Sequence, residues 1–139
     1  MTSPKQYEGA CACGRLRIRL SGEPRLVSSC HCLACQRRTG ALFGSNAFFS
    51  RNQTVAIEGE SRAWSRLGDN GATLTFHFCP NCGSTVYWEN ERMADAICVA
   101  VGAFADPTFS RPVRTVWTVN KHAWLVFPQD IQHHPNNPT

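Results

Sequence analysis

The chain has 139 residues, 42% hydrophobic and 17% charged, with a net charge of +4. That length suits a single domain able to bury roughly two-thirds of its unfolded surface. The mild charge, without any Lys/Arg block, argues against nucleic acid as a partner, and no apolar run is long enough to span a bilayer.

The first residues, "MTSPKQYEGACACG", lack the apolar stretch of a secretory leader, so a cytoplasmic location is expected. Disulfides rarely persist in that reducing compartment. Eight cysteines in such a chain point instead to metal or redox chemistry.

In chain order, "RLRIRLSG" (Arg15 to Gly22) alternates polar and apolar residues, which predicts a half-buried strand with Leu16, Ile18 and Leu20 on one face. "LACQRRTG" after Cys32 is the best short helix, with Gly40 as its stop. "GALFGSNAFF" (Gly40 to Phe49) reads as tightly packed extended chain, and "TVAIEG" (Thr54 to Gly59) as a strand ending in a turn. "GDNG" (Gly68 to Gly71) is a turn between the strands "SRAWSRL" and "ATLTFHF". "STVYWEN", "AICVAVGAF", "VRTVWTV" and "AWLVF" are further strand candidates rich in β-formers. The expectation is a mainly β domain over residues 1–127, followed by a loose polar tail, 128–139, that holds His133 and His134.

"CPNCG" (Cys79 to Gly83) is the strongest single motif. Pro80 stiffens the turn, Gly83 permits an unusual dihedral after it, and both sulfurs aim at one point, as in half of a tetrahedral zinc site. A redox CxxC is the alternative, but it belongs where a strand meets a helix in a βαβ pattern that this sequence lacks. Counting divides the remaining cysteines. Cys11 and Cys13 complete a four-cysteine structural site with Cys79 and Cys82, leaving Cys30, Cys32 and Cys35 of "CHCLAC" as a three-ligand site. Structural zinc has four protein ligands, and catalytic zinc usually three with one open position.

His31 is the rival fourth ligand. The middle side chain of C-x-C points away from the metal its neighbours share, so His31 is read as a surface or substrate-facing imidazole. Around the open site, Arg37 and Arg38 would either offset the anionic charge of three thiolates and hold substrate carboxylates, or be solvated. Thr39, Gly40, Ser45 and Asn46 are candidate walls for a small bound molecule, or simply the packing of a Gly/Ala-rich strand. His77 is read as a packed strand histidine or as a residue behind the four-cysteine site, and Cys98 as a core residue.

The order CxC, CHCxxCxRxTG, FCPxCGS, VGxFxDP, a tryptophan-bearing strand and "KHAWL" over residues 7–127 resembles the glutathione-dependent formaldehyde-activating enzyme family, which shares its domain with centromere protein V. The resemblance implies a β-tent fold of antiparallel sheets braced by zinc, with few short helices. It implies two Zn2+ per chain, one on Cys11, Cys13, Cys79 and Cys82 and one on Cys30, Cys32 and Cys35. It also implies a small thiol such as glutathione and an aldehyde as partners, in a carbon–sulfur lyase-type reaction that joins glutathione and formaldehyde as S-hydroxymethylglutathione. The family often carries a histidine where this chain has Thr115. The alternative is a non-catalytic zinc module for a protein or a small thiol ligand.

Overall fold

The computed structural model describes residues 3–138. Its elements are mainly β: eleven strands, one α-helix and several single 3-10 turns. The contacts divide the described residues into two compact units. One unit comprises 3–25 with Ala47–Phe109, and the other Leu26–Asn46 with 110–138.

In the first unit, β1 (Gln6–Ala10), β2 (Arg17–Ser21) and β5 (Thr54–Glu58) form an antiparallel sheet. Alternation in β2 does what the sequence implied. Leu16, Ile18 and Leu20 are fully buried while Arg17 and Arg19 face outward. Each such aliphatic side chain stabilises the fold by about 1.5–3 kcal/mol. They pack with Tyr7, Phe49, Val86 and Val99, and Tyr7 meets Phe49, Phe104 and Phe109 edge-on. Gly59 ends β5 at φ +94°, where a Cβ would lie 1.9 Å from the Arg15 carbonyl oxygen, so no other residue fits that turn.

The same unit holds an antiparallel meander of β6 (Arg62–Leu67), β7 (Thr73–Phe78), β8 (Thr85–Asn90) and β9 (Ala96–Ala100). The expected turn joins β6 to β7. Cross-strand pairs Trp64–Phe76, Phe76–Trp88 and Trp88–Cys98 run down one face. Cys98 is buried there, as expected of a core cysteine. His77 Nε2 donates to the Glu89 carboxylate at 2.7 Å and the ring stacks on Tyr87, which agrees with the packed reading.

The second unit contains β3 (Leu26–Cys30), α1 (Leu33–Thr39), β10 (Arg114–Val116) and β11 (Gln132–His133). Here the strands are parallel, unlike the antiparallel sheets expected: β10 pairs with β3 and with β11, with Ser29 opposite Thr115 and Cys30 opposite Val116. Val27 through Cys30 are all buried. A strand covered on both faces has no alternation to read, so "LVSSC" went unread as a strand. Helix α1 stops where expected, with Gly40 at φ 67° donating to the Gln36 carbonyl.

Several expectations need correction. "AWLVF" is not a strand. In "GALFGSNAFF" the strand β4 (Gly44–Ser50) starts only at Gly44, after a bend, and the division between the units falls within it. In "AICVAVGAF" the strand ends at Ala100 and a 3-10 turn follows, and in "VRTVWTV" it ends at Val116 because Trp117 turns left-handed at φ 59°. The residues expected to form a loose tail carry β11, a buried Ile131 and a backbone hydrogen bond from His134 to Thr115.

Candidate metal centres

Cys11 and Cys13 leave β1 in a tight turn, closed by the Gly14 amide donating to the Cys11 carbonyl at 3.0 Å. Cys79 and Cys82 follow β7 in a matching turn, closed by Gly83 donating to Cys79 at 2.8 Å. Both glycines have positive φ, +81° and +79°. The Cys13 sulfur lies 3.6 Å from that of Cys11 and 3.6 Å from that of Cys79, and all four sulfurs lie within 4.8 Å of one another. A tetrahedral zinc with bonds of about 2.3 Å spaces its sulfurs about 3.8 Å apart, so the donor set fits that ion. The Leu16 amide donates to the Cys11 sulfur, and the Ser84 hydroxyl lies 3.4 Å from that of Cys82. The Ser84 hydroxyl, backbone amides and other groups pull the Cys82 thiol down to about 5. Cys13 is also lowered, first by the Asn81 side chain. Cys79 is drawn down by the backbone of Cys82, but burial and the Cys13 and Cys11 thiols raise it overall, and a cation takes its ligands as thiolates.

The second cluster is built at the junction of β3 and α1. Cys30 ends the strand, Cys32 is the helix N-cap and accepts from the Cys35 amide at 3.3 Å, and Cys35 lies in the first turn. Their three sulfurs lie within 4.8 Å of one another. Hydrogen bonding to Cys32 and Cys35 pushes the Cys30 thiol up, with burial adding to it. Cys35 is drawn down by its bond to Cys30, but contact with Cys32, burial and the Cys32 charge raise it overall. Three crowded thiols resist ionising together, and a dication relieves that repulsion. The set therefore fits a metal with three sulfur ligands.

His31 corrects the sequence reading. It is fully buried, not on the surface, between the rings of Phe127 and Phe43. Its Nε2 lies 2.8 Å from the Thr115 hydroxyl, and no His31 nitrogen joins the three-sulfur cluster. Burial pushes the imidazole below its usual range, with the charge of Lys121 adding to that. Gln36 on α1 fixes the backbone here by donating to the carbonyls of His31 and Asn120, and its own oxygen meets His122 at 3.1 Å.

Arg37 is exposed at the end of α1, whereas Arg38 is half-buried and turns toward Cys35, which its charge draws down. Its Nη2 lies 3.0 Å from where a Gly44 Cβ would stand, and the Cys35 Cβ 3.5 Å from the same point. The Thr39 hydroxyl donates to the Cys35 carbonyl at 2.8 Å and accepts from the Ala41 amide, a helix-ending role. Ser45 and Asn46 are half-buried on β4, with the Asn46 Oδ1 inaccessible and unpartnered. Sequence reasoning passed over Ser29, Gln36, Phe43 and Phe127. Nothing in their local sequence marks them, because their partners come from distant segments.

The family model for the glutathione-dependent formaldehyde-activating enzyme matches residues 6–120. The chain belongs to that family. Both cysteine clusters fall inside the matched span. An uncharacterized lyase of Schizosaccharomyces pombe is 28% identical over 83 residues, 60% of this chain and 57% of that protein. The chain therefore spans less than three-fifths of that relative. A crystal structure of a Rhodobacter sphaeroides protein, 20% identical, matches with a TM-score of 0.51 over 76% of this chain and 91% of the other, a likeness of fold. Among the described residues, no helix is long and apolar enough to cross a membrane.

Proposed function

We propose that this protein is a zinc-dependent carbon–sulfur lyase-type enzyme acting on the adduct of a thiol and an aldehyde, with glutathione and formaldehyde as the family's precedent. The observation that carries this reading is the incomplete ligand set: Cys30, Cys32 and Cys35 converge, while the intervening His31 turns its Nε2 to Thr115. Zinc held by Cys30, Cys32 and Cys35 would supply Lewis acidity, which would favour the thiolate of an incoming thiol and polarise a carbonyl.

The chain's own groups would orient the substrate around that position. Arg38 faces Cys35 and offsets the negative charge of the cluster, and it can grip a carboxylate through two parallel hydrogen bonds. Arg37, exposed in the last turn of α1, would meet a second carboxylate, and glutathione carries two. Thr39 and Ser45 stand in our reading as wall residues around the thiol. Cys11, Cys13, Cys79 and Cys82 hold the other zinc and brace the fold.

Nuclear magnetic resonance exchange spectroscopy on glutathione with formaldehyde tests this directly. Interconversion is expected to be faster with protein than without, and to return to the spontaneous rate in Cys35→Ser. A rate equal to the spontaneous one with wild-type protein rejects the substrate.

A further inference from the structure

We infer that Thr115 is a positioning residue that keeps His31 out of the coordination sphere and so holds the three-cysteine centre one ligand short. The inference rests on the metal reading of Cys30, Cys32 and Cys35, and not on the reaction proposed for them.

His31 lies between two of the cysteines, so by chain position it is the nearest candidate for a fourth ligand. Imidazole ligates only through a nitrogen whose lone pair is free. The hydrogen-bond chain around the ring decides where that lone pair is. The Ser29 hydroxyl donates to Thr115 Oγ1 at 2.8 Å. The Thr115 hydroxyl then has its single hydrogen to give, and His31 Nε2 lies 2.8 Å away. Giving it to Nε2 satisfies that hydroxyl, and the proton of a neutral ring then sits on Nδ1. The assignment follows from the network, as tautomers must. Nδ1 itself is buried and makes no hydrogen bond. One nitrogen is occupied by Thr115 and the other carries the proton, so neither offers its lone pair to a metal.

The fold makes this arrangement durable. Ser29 and Thr115 are register partners on the parallel strands β3 and β10, so their hydroxyls meet without adjustment. Ser29, His31 and Thr115 are at most 1% exposed, and water does not compete for these bonds. The rings of Phe43 and Phe127 confine the imidazole. The His31 amide also donates to the Val116 carbonyl at 3.0 Å, which ties the backbone to the strand that carries Thr115.

The test uses the full chain loaded with cadmium-113 and labelled with nitrogen-15. In the wild type, long-range nitrogen–proton spectra are expected to show His31 as the Nδ1–H tautomer with no coupling to cadmium. An Nε2–H tautomer, or a cadmium coupling to either nitrogen, overturns the inference. Thr115→Val keeps the shape but loses the donor. It is expected to show a cadmium coupling at His31 and to bind added glutathione about tenfold more weakly, as when a rival takes the fourth position in about nine molecules of ten. Thr115→Ser restores the wild-type spectrum, and His31→Ala in the Thr115→Val background restores glutathione binding. A Thr115→Val protein with no cadmium coupling at His31 overturns the inference. Should Thr115→Val not fold, the wild-type tautomer and coupling decide alone. Absent catalysis alongside the expected tautomer would reject the proposed reaction and leave this inference standing.

Discussion

The sulfur of Cys13 lies 3.6 Å from that of Cys79, although 66 residues separate them in the chain. This contact staples the turn after β1 to the turn after β7. A structural zinc contributes on the order of 10 kcal/mol of apparent folding free energy, comparable to the whole stability of a domain. Cys82→Ser is therefore expected to abolish the cooperative thermal transition followed by circular dichroism. Cys35→Ser, which touches only the three-cysteine centre, keeps that transition and loses activity. Equal collapse of both variants contradicts this division.

The two arginines at the end of α1 differ in placement and should differ in effect. Arg38 faces Cys35, and Arg37 is exposed. Removing a hydrogen bond to a charged group costs about 1.5–3 kcal/mol. Arg38→Met is expected to raise KM for glutathione roughly tenfold or more on that scale. Arg37→Met gives a smaller rise because solvent screens its charge. Steady-state kinetics on both variants separates them, and equal effects would remove the special place of Arg38.

Thiol reactivity should report the metals by count. With both centres loaded, the seven clustered cysteines are bound, and burial pushes Cys98 up to about 12. A thiol reagent at about pH 8 should then find almost no reactive sulfur, because only thiolates react. A chelator is expected to release the clustered thiols, and Cys98 reacts only on denaturation. Ready labelling of Cys98 in the folded protein contradicts its place in the core.

Alkaline pH offers an independent check on the first unit. Burial, with the bond from its hydroxyl to Glu23 at 2.6 Å adding to it, pushes Tyr7 from 10.0 up to about 12. The unfolded state therefore loses this proton at lower pH than the folded state does. The stabilisation is complete below pH 10 and is lost as pH rises toward 12. Denaturant titrations at rising pH should show that decline, and Tyr7→Phe should flatten it. A decline unchanged in Tyr7→Phe would assign it to another group.

Much of this was legible before any coordinates. The alternation of Arg15 to Gly22 set β2 and its buried face, and the Gly14 and Gly83 turns made both halves of the four-cysteine site readable. The count of cysteines separated the two clusters that the fold then brought together. What stayed hidden depends on contacts between distant segments. β3 is buried on both faces, so its residues carry no periodic signal. His31 was expected to face outward because nothing near it in sequence announces Thr115, Phe43 or Phe127, and its hydrogen bond spans 84 residues. "AWLVF" has the composition of a strand and yet is none, since composition alone does not supply a partner edge.

The most direct test of one closed and one open centre is elemental zinc analysis of freshly purified wild-type and Cys35→Ser proteins. The expected result is close to two zinc ions per wild-type chain and one per folded Cys35→Ser chain, from the two cysteine clusters. A wild-type value near one that does not rise when zinc is added would contradict the open centre, and with it the proposed chemistry.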